Sequence, residues 1–173
     1  MKVLVAGVGN ILRSDDGFGV EVANRLMERE QPPGVVVVET GIAGIQLVQD
    51  LMDGYDAAIV IDTVDRGRPA GTVMVIVPDV IDVELLDHNE KYDLLADMHM
   101  ATPERSMMLA RALKILPDKL FMVGCQPVDV NTLAIGLSET VEAAIEPAII
   151  EVERCIRELL EGNSPAEQGA VDD

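Results

Sequence analysis

Three residues far apart in the chain are of a type and placement that could do chemistry together: Asp16, Asp62 and His99. Asp16 lies in Gly7-Val8-Gly9-Asn10-Ile11-Leu12-Arg13-Ser14-Asp15-Asp16-Gly17-Phe18-Gly19, directly after an apolar run. Asp62 closes the run Ala57–Asp62, where a carboxylate flush with a buried strand costs desolvation energy unless it is paired or holds a cation. His99 precedes Thr102-Pro103-Glu104, the start of a helical pattern. Two carboxylates and one imidazole with open positions form a donor set for a divalent ion. Mixed nitrogen and oxygen donors favour nickel, zinc, cobalt or iron over magnesium. Each residue also has a plainer reading. Asp15 and Asp16 suit a helix N-terminus through the helix dipole, an effect of about 0.3–1 kcal/mol. His99 could be a packed or surface histidine, and His88, among Asp87, Asn89, Glu90 and Lys91, reads as a solvated loop residue.

Other chemistries fit less well. The Gly7-x-Gly9 start lacks the third glycine of a dinucleotide fingerprint, since Leu12 stands there, and two aspartates occupy the place of a diphosphate. There is no nucleophile elbow of the G-x-S-x-G kind. Cys125, in Val123-Gly124-Cys125-Gln126-Pro127, has no basic neighbour in sequence, and Cys155 falls within an apolar helical pattern.

The elements that must position these residues follow from the apolar patterning. Lys2–Ala6, Val35–Glu39, Ala57–Asp62, Thr72–Val77 and Leu120–Val123 are short β-branched runs, most of them apolar throughout, as in strands covered on both faces. Helical spacing separates them. Val20, Val22, Ala23, Leu26 and Met27 form one stripe, stopped by Pro32-Pro33; Ile45, Leu47, Val48, Leu51 and Met52 form another, ended by Gly54. A third helix runs from Pro103 to about Ile115, and a fourth from a Ser138 cap to about Leu160, with Pro147 expected to kink it. The alternation predicts an α/β fold: a single three-layer, doubly wound domain, with a mainly parallel twisted sheet of about five strands and helices on both faces. Thr72–Val77, after the turn-rich Gly67–Gly71, is expected as a hairpin or edge strand that makes the sheet mixed. The domain is expected over 1–161, with 162–173 a disordered acidic tail, and 78–98 is the least regular stretch within it.

Composition bounds the partners. The 173 residues are 49% apolar, enough for one core, and 31 acids against 13 bases give a net charge of −18. Such a surface repels phosphate backbones and anionic lipid, so neither nucleic acid nor membrane is an expected partner. No apolar run reaches the ~20 residues needed to span a bilayer, and the N-terminus reads as a first strand, not a signal peptide. Two distant cysteines make no disulfide framework, which points to a reducing, cytoplasmic setting.

With these residues in view, the chain resembles the [NiFe] hydrogenase maturation endopeptidases, the family that trims the C-terminus of the hydrogenase large subunit. The resemblance spans roughly residues 3–160. It rests on Gly7-x-Gly9-Asn10 with Asp15-Asp16-Gly17-x-Gly19, on Glu39-Thr40-Gly41-x-Ala43-Gly44, on Asp62, and on His99 ahead of a helix. It continues through Gly124-Cys125-Gln126-Pro127 and Gly136-Leu137-Ser138-x-x-Val141 to Glu146-Pro147. It implies a doubly wound five-stranded fold and an aspartyl-type endopeptidase activity. It also implies that nickel, supplied by the precursor, is recognised by an acid in the first glycine-rich segment, an aspartate after the third strand and a histidine. By motif position these are Asp16, Asp62 and His99. The family often has glutamate at the first position, so Asp16 reaches one methylene less far and Asp15 stands as its substitute. His99 is preferred to His88 for its distance to the Leu120–Gly124 strand. The implied chemistry is either metal-activated or acid–base, with the ion polarising the scissile carbonyl or a water and an unengaged carboxylate accepting a proton. Thr40–Gly44 is either a source of backbone amides for the oxyanion or for the precursor strand, or a helix-capping turn. The implied partner is the large-subunit precursor, and a monomer is expected over an oligomer.

Two other readings stay open. A receiver-like, magnesium-dependent phosphoacceptor switch also carries acids after its first and third strands, but needs a lysine after its fifth, where Cys125 and Gln126 stand. A non-catalytic nickel chaperone would bind metal without turnover, and only two histidines argue against storage.

Overall fold

The computed structural model describes residues 1–42, 44–85, 87 and 102–162. Five strands form one sheet: β1 (Val3–Val8), β2 (Val35–Gly41), β3 (Ala57–Thr63), β4 (Val73–Ile76) and β5 (Lys119–Cys125). Their order is β2-β1-β3-β5-β4. The first four positions are parallel, with Val3 opposite Val35 and Ala57, and Ala57 opposite Lys119. β4 runs antiparallel to β5, pairing Val73 with Cys125. The turn-rich Gly67–Gly71 therefore carries the chain past β5 to the far edge; it makes an edge strand rather than a hairpin with β3.

The helices are α1 (Phe18–Met27), α2 (Gly44–Leu51), α3 (Pro103–Ala112), α4 (Glu139–Glu142) and α5 (Ile145–Leu160), with 3-10 turns at Ser14–Gly17 and Val83–Leu85. Strand alternation sends side chains to two cores. Val3, Val5, Ile59, Ile61 and Val123 pack with Phe18, Val22 and Leu26 of α1 and with Ile145, Ile149 and Val152 of α5. Leu4, Ala6, Ala58, Val60 and Met122 pack with Leu47 and Leu51 of α2 and Met107 and Ala110 of α3. This is the three-layer, doubly wound arrangement that continuous apolar strands require.

The long fourth helix is corrected. It divides into α4 and α5, with Ala143 and Ala144 between them. Pro147 is the third residue of α5, within its first turn, where a helical N–H has no partner in any case, so it starts a helix instead of kinking one. α3 ends at Ala112, three residues short of Ile115, as Leu113 caps it and Lys114 takes a positive φ of 58°. Among the described residues no helix is long and apolar enough to cross a membrane. Residues 163–173, which hold nearly all of the expected tail, lie outside the described residues.

Candidate functional site

In this topology the chain leaves β1 toward β2 on one side, and the remaining strands build out from β3 on the other. The crevice between the carboxyl ends of β1 and β3 is thus the switch point at which open α/β sheets bind ligands. α1 begins against that crevice, and glycines let it come so close. A Cβ on Gly19 would strike the carbonyl oxygens of Ile61 and Val8, and one on Gly9 (φ +142°) would strike that of Asp16. The backbone of the Asp16 turn is thereby pressed onto the end of β1, with Asn10 N–H donating to the Asp16 carbonyl at 3.0 Å.

Asp16 and Asp62 meet at this crevice. Both are half-buried. Asp16 Oδ2 accepts from the Asn10 amide at 3.2 Å. Burial pushes its carboxyl above the ordinary range, against the opposing pull of the Arg13 guanidinium, the Asn10 amide and the Thr63 hydroxyl. Asp62 ends the buried part of β3, opposite Gly124, and its Oδ1 accepts from the Thr63 amide at 2.8 Å. Its pKa stands well above the usual carboxylate value. Burial is the main cause, relieved in part by the Thr63 amide and worsened by the negative charges of Asp16 and Glu104. A carboxylate from the Ser14–Gly17 turn and one from the end of β3 thus act on each other with burial only partly offset, an arrangement that a cation would relieve.

Asp15 plays a different part from its neighbour. It has no exposed surface. Its Oδ1 accepts from the Ser138 amide at 2.7 Å, and its Oδ2 accepts from the amides of Val128 (2.8 Å) and Asp129 (3.1 Å) and from the Ser138 hydroxyl (3.1 Å). Burial alone would raise its pKa, yet these donors outweigh it and hold the carboxyl below the ordinary value. With both oxygens engaged in this way, Asp15 is a clamp between the loops after β1 and β5, its carboxylate committed to these donors.

Three further residues complete the edge. Thr40 is buried, and its hydroxyl donates to the Gly7 carbonyl at 3.1 Å, while the Gly41 carbonyl accepts from Gly9 N–H at 3.1 Å. The start of the Thr40–Gly44 segment thus ties β2 to β1; Ala43, within it, lies outside the described residues. Gln126 is buried, with Oε1 accepting from the amides of Arg66 and Arg68 and Nε2 donating to Asp65, so that it shapes the loop after β3. Glu104, in the first turn of α3, was not singled out by its sequence; what it brings is its electrostatic pressure on Asp62. His99, and His88 with it, lies outside the described residues. Among the described residues no group of three or more His, Cys, Asp or Glu is placed to hold a metal ion.

Both cysteines are buried, and burial pushes each thiol up to about 11. Both burial and this shift disfavour a thiolate at neutral pH. The native protein should stay unlabelled by a water-soluble maleimide at mildly alkaline pH and take up two equivalents in denaturant; rapid native labelling of Cys125 would contradict its burial.

Comparison with known proteins places this architecture in a defined class. A sequence model described as hydrogenase maturation protease, of the HycI type, matches residues 20–155. The hydrogenase 2 maturation protease of Escherichia coli is 34% identical over 161 residues, covering 91% of this chain and 92% of that protein. The hydrogenase expression/formation protein HupM of Azotobacter chroococcum is 34% identical over 149 residues, covering 86% of this chain and 68% of that protein. Among solved structures, the hydrogenase maturating endopeptidase HybD of E. coli superposes with a TM-score of 0.71 at 30% identity, covering 91% of this chain and 93% of that one. This chain belongs to the hydrogenase maturation protease family. It is a peptidase, built on a doubly wound α/β domain.

Proposed function

We propose that this peptidase removes the C-terminal extension of a [NiFe] hydrogenase large-subunit precursor after recognising nickel already held by that precursor. Asp16, Asp62 and His99 are the residues assigned to meet the ion. The observation that carries the reading is the convergence of Asp16 and Asp62 at the sheet's switch point, where burial and mutual repulsion raise the Asp62 pKa. Nickel is here part of the substrate. Its charge would favour the ionised form of Asp62 and lower the cost of burying the pair. Once in place it would polarise the scissile carbonyl or a water, and a neighbouring carboxylate of raised pKa is suited to take up a proton. The protein is taken to work as a cytoplasmic monomer.

The receiver-like alternative loses ground on a specific feature. β5 ends in the buried Cys125, and Gln126 after it is committed to Asp65 and the Arg66 and Arg68 amides, so no lysine ammonium reaches the acids from there. The test is to incubate the protein with nickel-loaded and nickel-free precursor and follow the C-terminal peptide by mass. Cleavage is expected only with nickel, and His99→Ala should abolish it. Equal cleavage of both precursors would remove nickel recognition from the reading, and full activity of His99→Ala would remove the histidine.

A further inference from the structure

Beside the Asp16 turn, on the α1 side of the sheet, lies a groove of about 540 Å³ that the acid pair does not explain. One wall is Val20, Glu21 and Arg25 of α1; the other is the loop at Ile135–Leu137, with Ile11, Ser14 and Gly17 at the end next to Asp16. Two of its lining residues are exposed aliphatics, Ile135 (84%) and Ile11 (54%), and Leu133 (83%) and Leu12 (55%) stand beside them in the same loops. Exposed aliphatic side chains grouped in this way mark interaction sites.

These residues are presented on a fixed frame. Ala134 N–H donates to the Leu12 carbonyl at 3.1 Å, Ser14 N–H to the Ala134 carbonyl at 2.8 Å, and Asp15 clamps both loops from beneath. A surface held this way loses little conformational entropy on binding. Its charge is one-sided. Three glutamates, Glu21, Glu39 and Glu142, face one arginine. Arg25 is already paired with Glu21 and Glu142, whereas Glu39 is exposed and has no ion-pair partner among the described residues.

We infer that this groove binds the C-terminal extension of the precursor as an extended peptide. Aliphatic side chains of the peptide pack on Ile11 and Ile135, and a lysine or arginine meets Glu39. The inference rests on the proposed function for its occupant and adds to it the subsite and the peptide chemistry it selects. Ser14 and Gly17, which flank the Asp15-Asp16 pair in sequence, line the groove, so a strand bound there runs beside the turn that carries Asp16, and the groove's acidic wall disfavours an acidic extension.

The test uses nickel-loaded precursor and the full-length protein carrying Ile135→Asp or Glu39→Lys, both surface changes, with Ile150→Asp on the exposed face of α5 as control. Each groove variant should raise KM about tenfold with kcat within about twofold, and the control should leave both near wild type. Unaltered KM in both groove variants would overturn the inference. A binding arm separates this from failure of the functional reading. Immobilised Asp62→Asn protein should hold intact precursor about tenfold more tightly than precursor lacking its extension, and Ile135→Asp added to it should erase the difference. Equal affinity for the two precursors would overturn the groove assignment even where cleavage is normal. If the wild type cleaves nothing, the functional reading fails, and the same binding comparison still decides the groove.

Discussion

Asp62→Asn should abolish precursor cleavage, by about 10³-fold or more, while making the protein more stable at neutral pH. The two effects have one cause. The wild-type carboxylate is buried beside Asp16 and Glu104, and its pKa is raised well above the ordinary value by burial first and by those charges next. A carboxyl whose folded pKa exceeds its unfolded one contributes its full stability below the unfolded value, here 3.8, and loses that contribution as pH rises through the folded pKa. At neutral pH the raised pKa therefore weighs against folding, and asparagine removes that cost while keeping an Oδ1 to accept from the Thr63 amide. A gain of about 1 kcal/mol corresponds to about 2–4 °C in Tm for a chain of this size. The difference between the two proteins should shrink as pH falls toward the ordinary carboxylate range. The measurements are calorimetric Tm against pH and cleavage followed by mass. A variant that is inactive and less stable at neutral pH would show that the carboxylate is satisfied in the free protein, and the strained acid pair would then not be the seat of the ion. Retained cleavage would remove Asp62 from the site outright.

The sheet and its helices were readable from sequence because both-face burial leaves little freedom in residue choice. A run such as Ala57-Ala58-Ile59-Val60-Ile61 has only one environment that satisfies every side chain, and it lies between the α1/α5 and α2/α3 layers. Asp62 stood out for the same reason, as a charge at the end of that run. What sequence could not separate was Asp15 from Asp16. They are adjacent and chemically identical, and their roles are set by donors far along the chain, at Val128, Asp129 and Ser138. The break before α5 was equally hidden. Pro147 signals an irregularity, but whether it kinks a helix or opens one depends on whether the residues before it stay helical, and Ala143-Ala144 has no turn-forming residue to reveal the answer. The Glu39–Ile135 groove was invisible because its two walls come from segments more than a hundred residues apart, and exposed isoleucines carry no periodic signal.

Asp15→Ala should have the opposite signature to Asp62→Asn: it should unfold the site before it alters any chemistry. Four donors, the amides of Val128, Asp129 and Ser138 and the Ser138 hydroxyl, converge on this one carboxylate. Truncation leaves them without an acceptor in a place with no exposed surface, and each such loss costs about 1–3 kcal/mol before local relaxation. Because the donors lie in one loop system the losses are not additive, so a total of about 3–5 kcal/mol is expected. The sign of the pH dependence follows from the lowered pKa. Burial pushes this carboxyl up, but the Ser138, Asp129 and Val128 donors bring it below 3.8. A depressed folded pKa gives stability that is present above 3.8 and is lost as pH falls through the lower folded value. Wild type should therefore resist acid unfolding down to that range, and Asp15→Ala should lack this acid-side dependence as well as the baseline stability. Asparagine would not rescue it, since its amide nitrogen is a donor set among donors. Denaturant unfolding against pH reads both effects. If Asp15→Ala lost less than about 1 kcal/mol and kept cleavage, the clamp between the β1 and β5 loops would be dispensable, and the loops bearing Ile11, Ile135 and Asp16 would hold their places by other means.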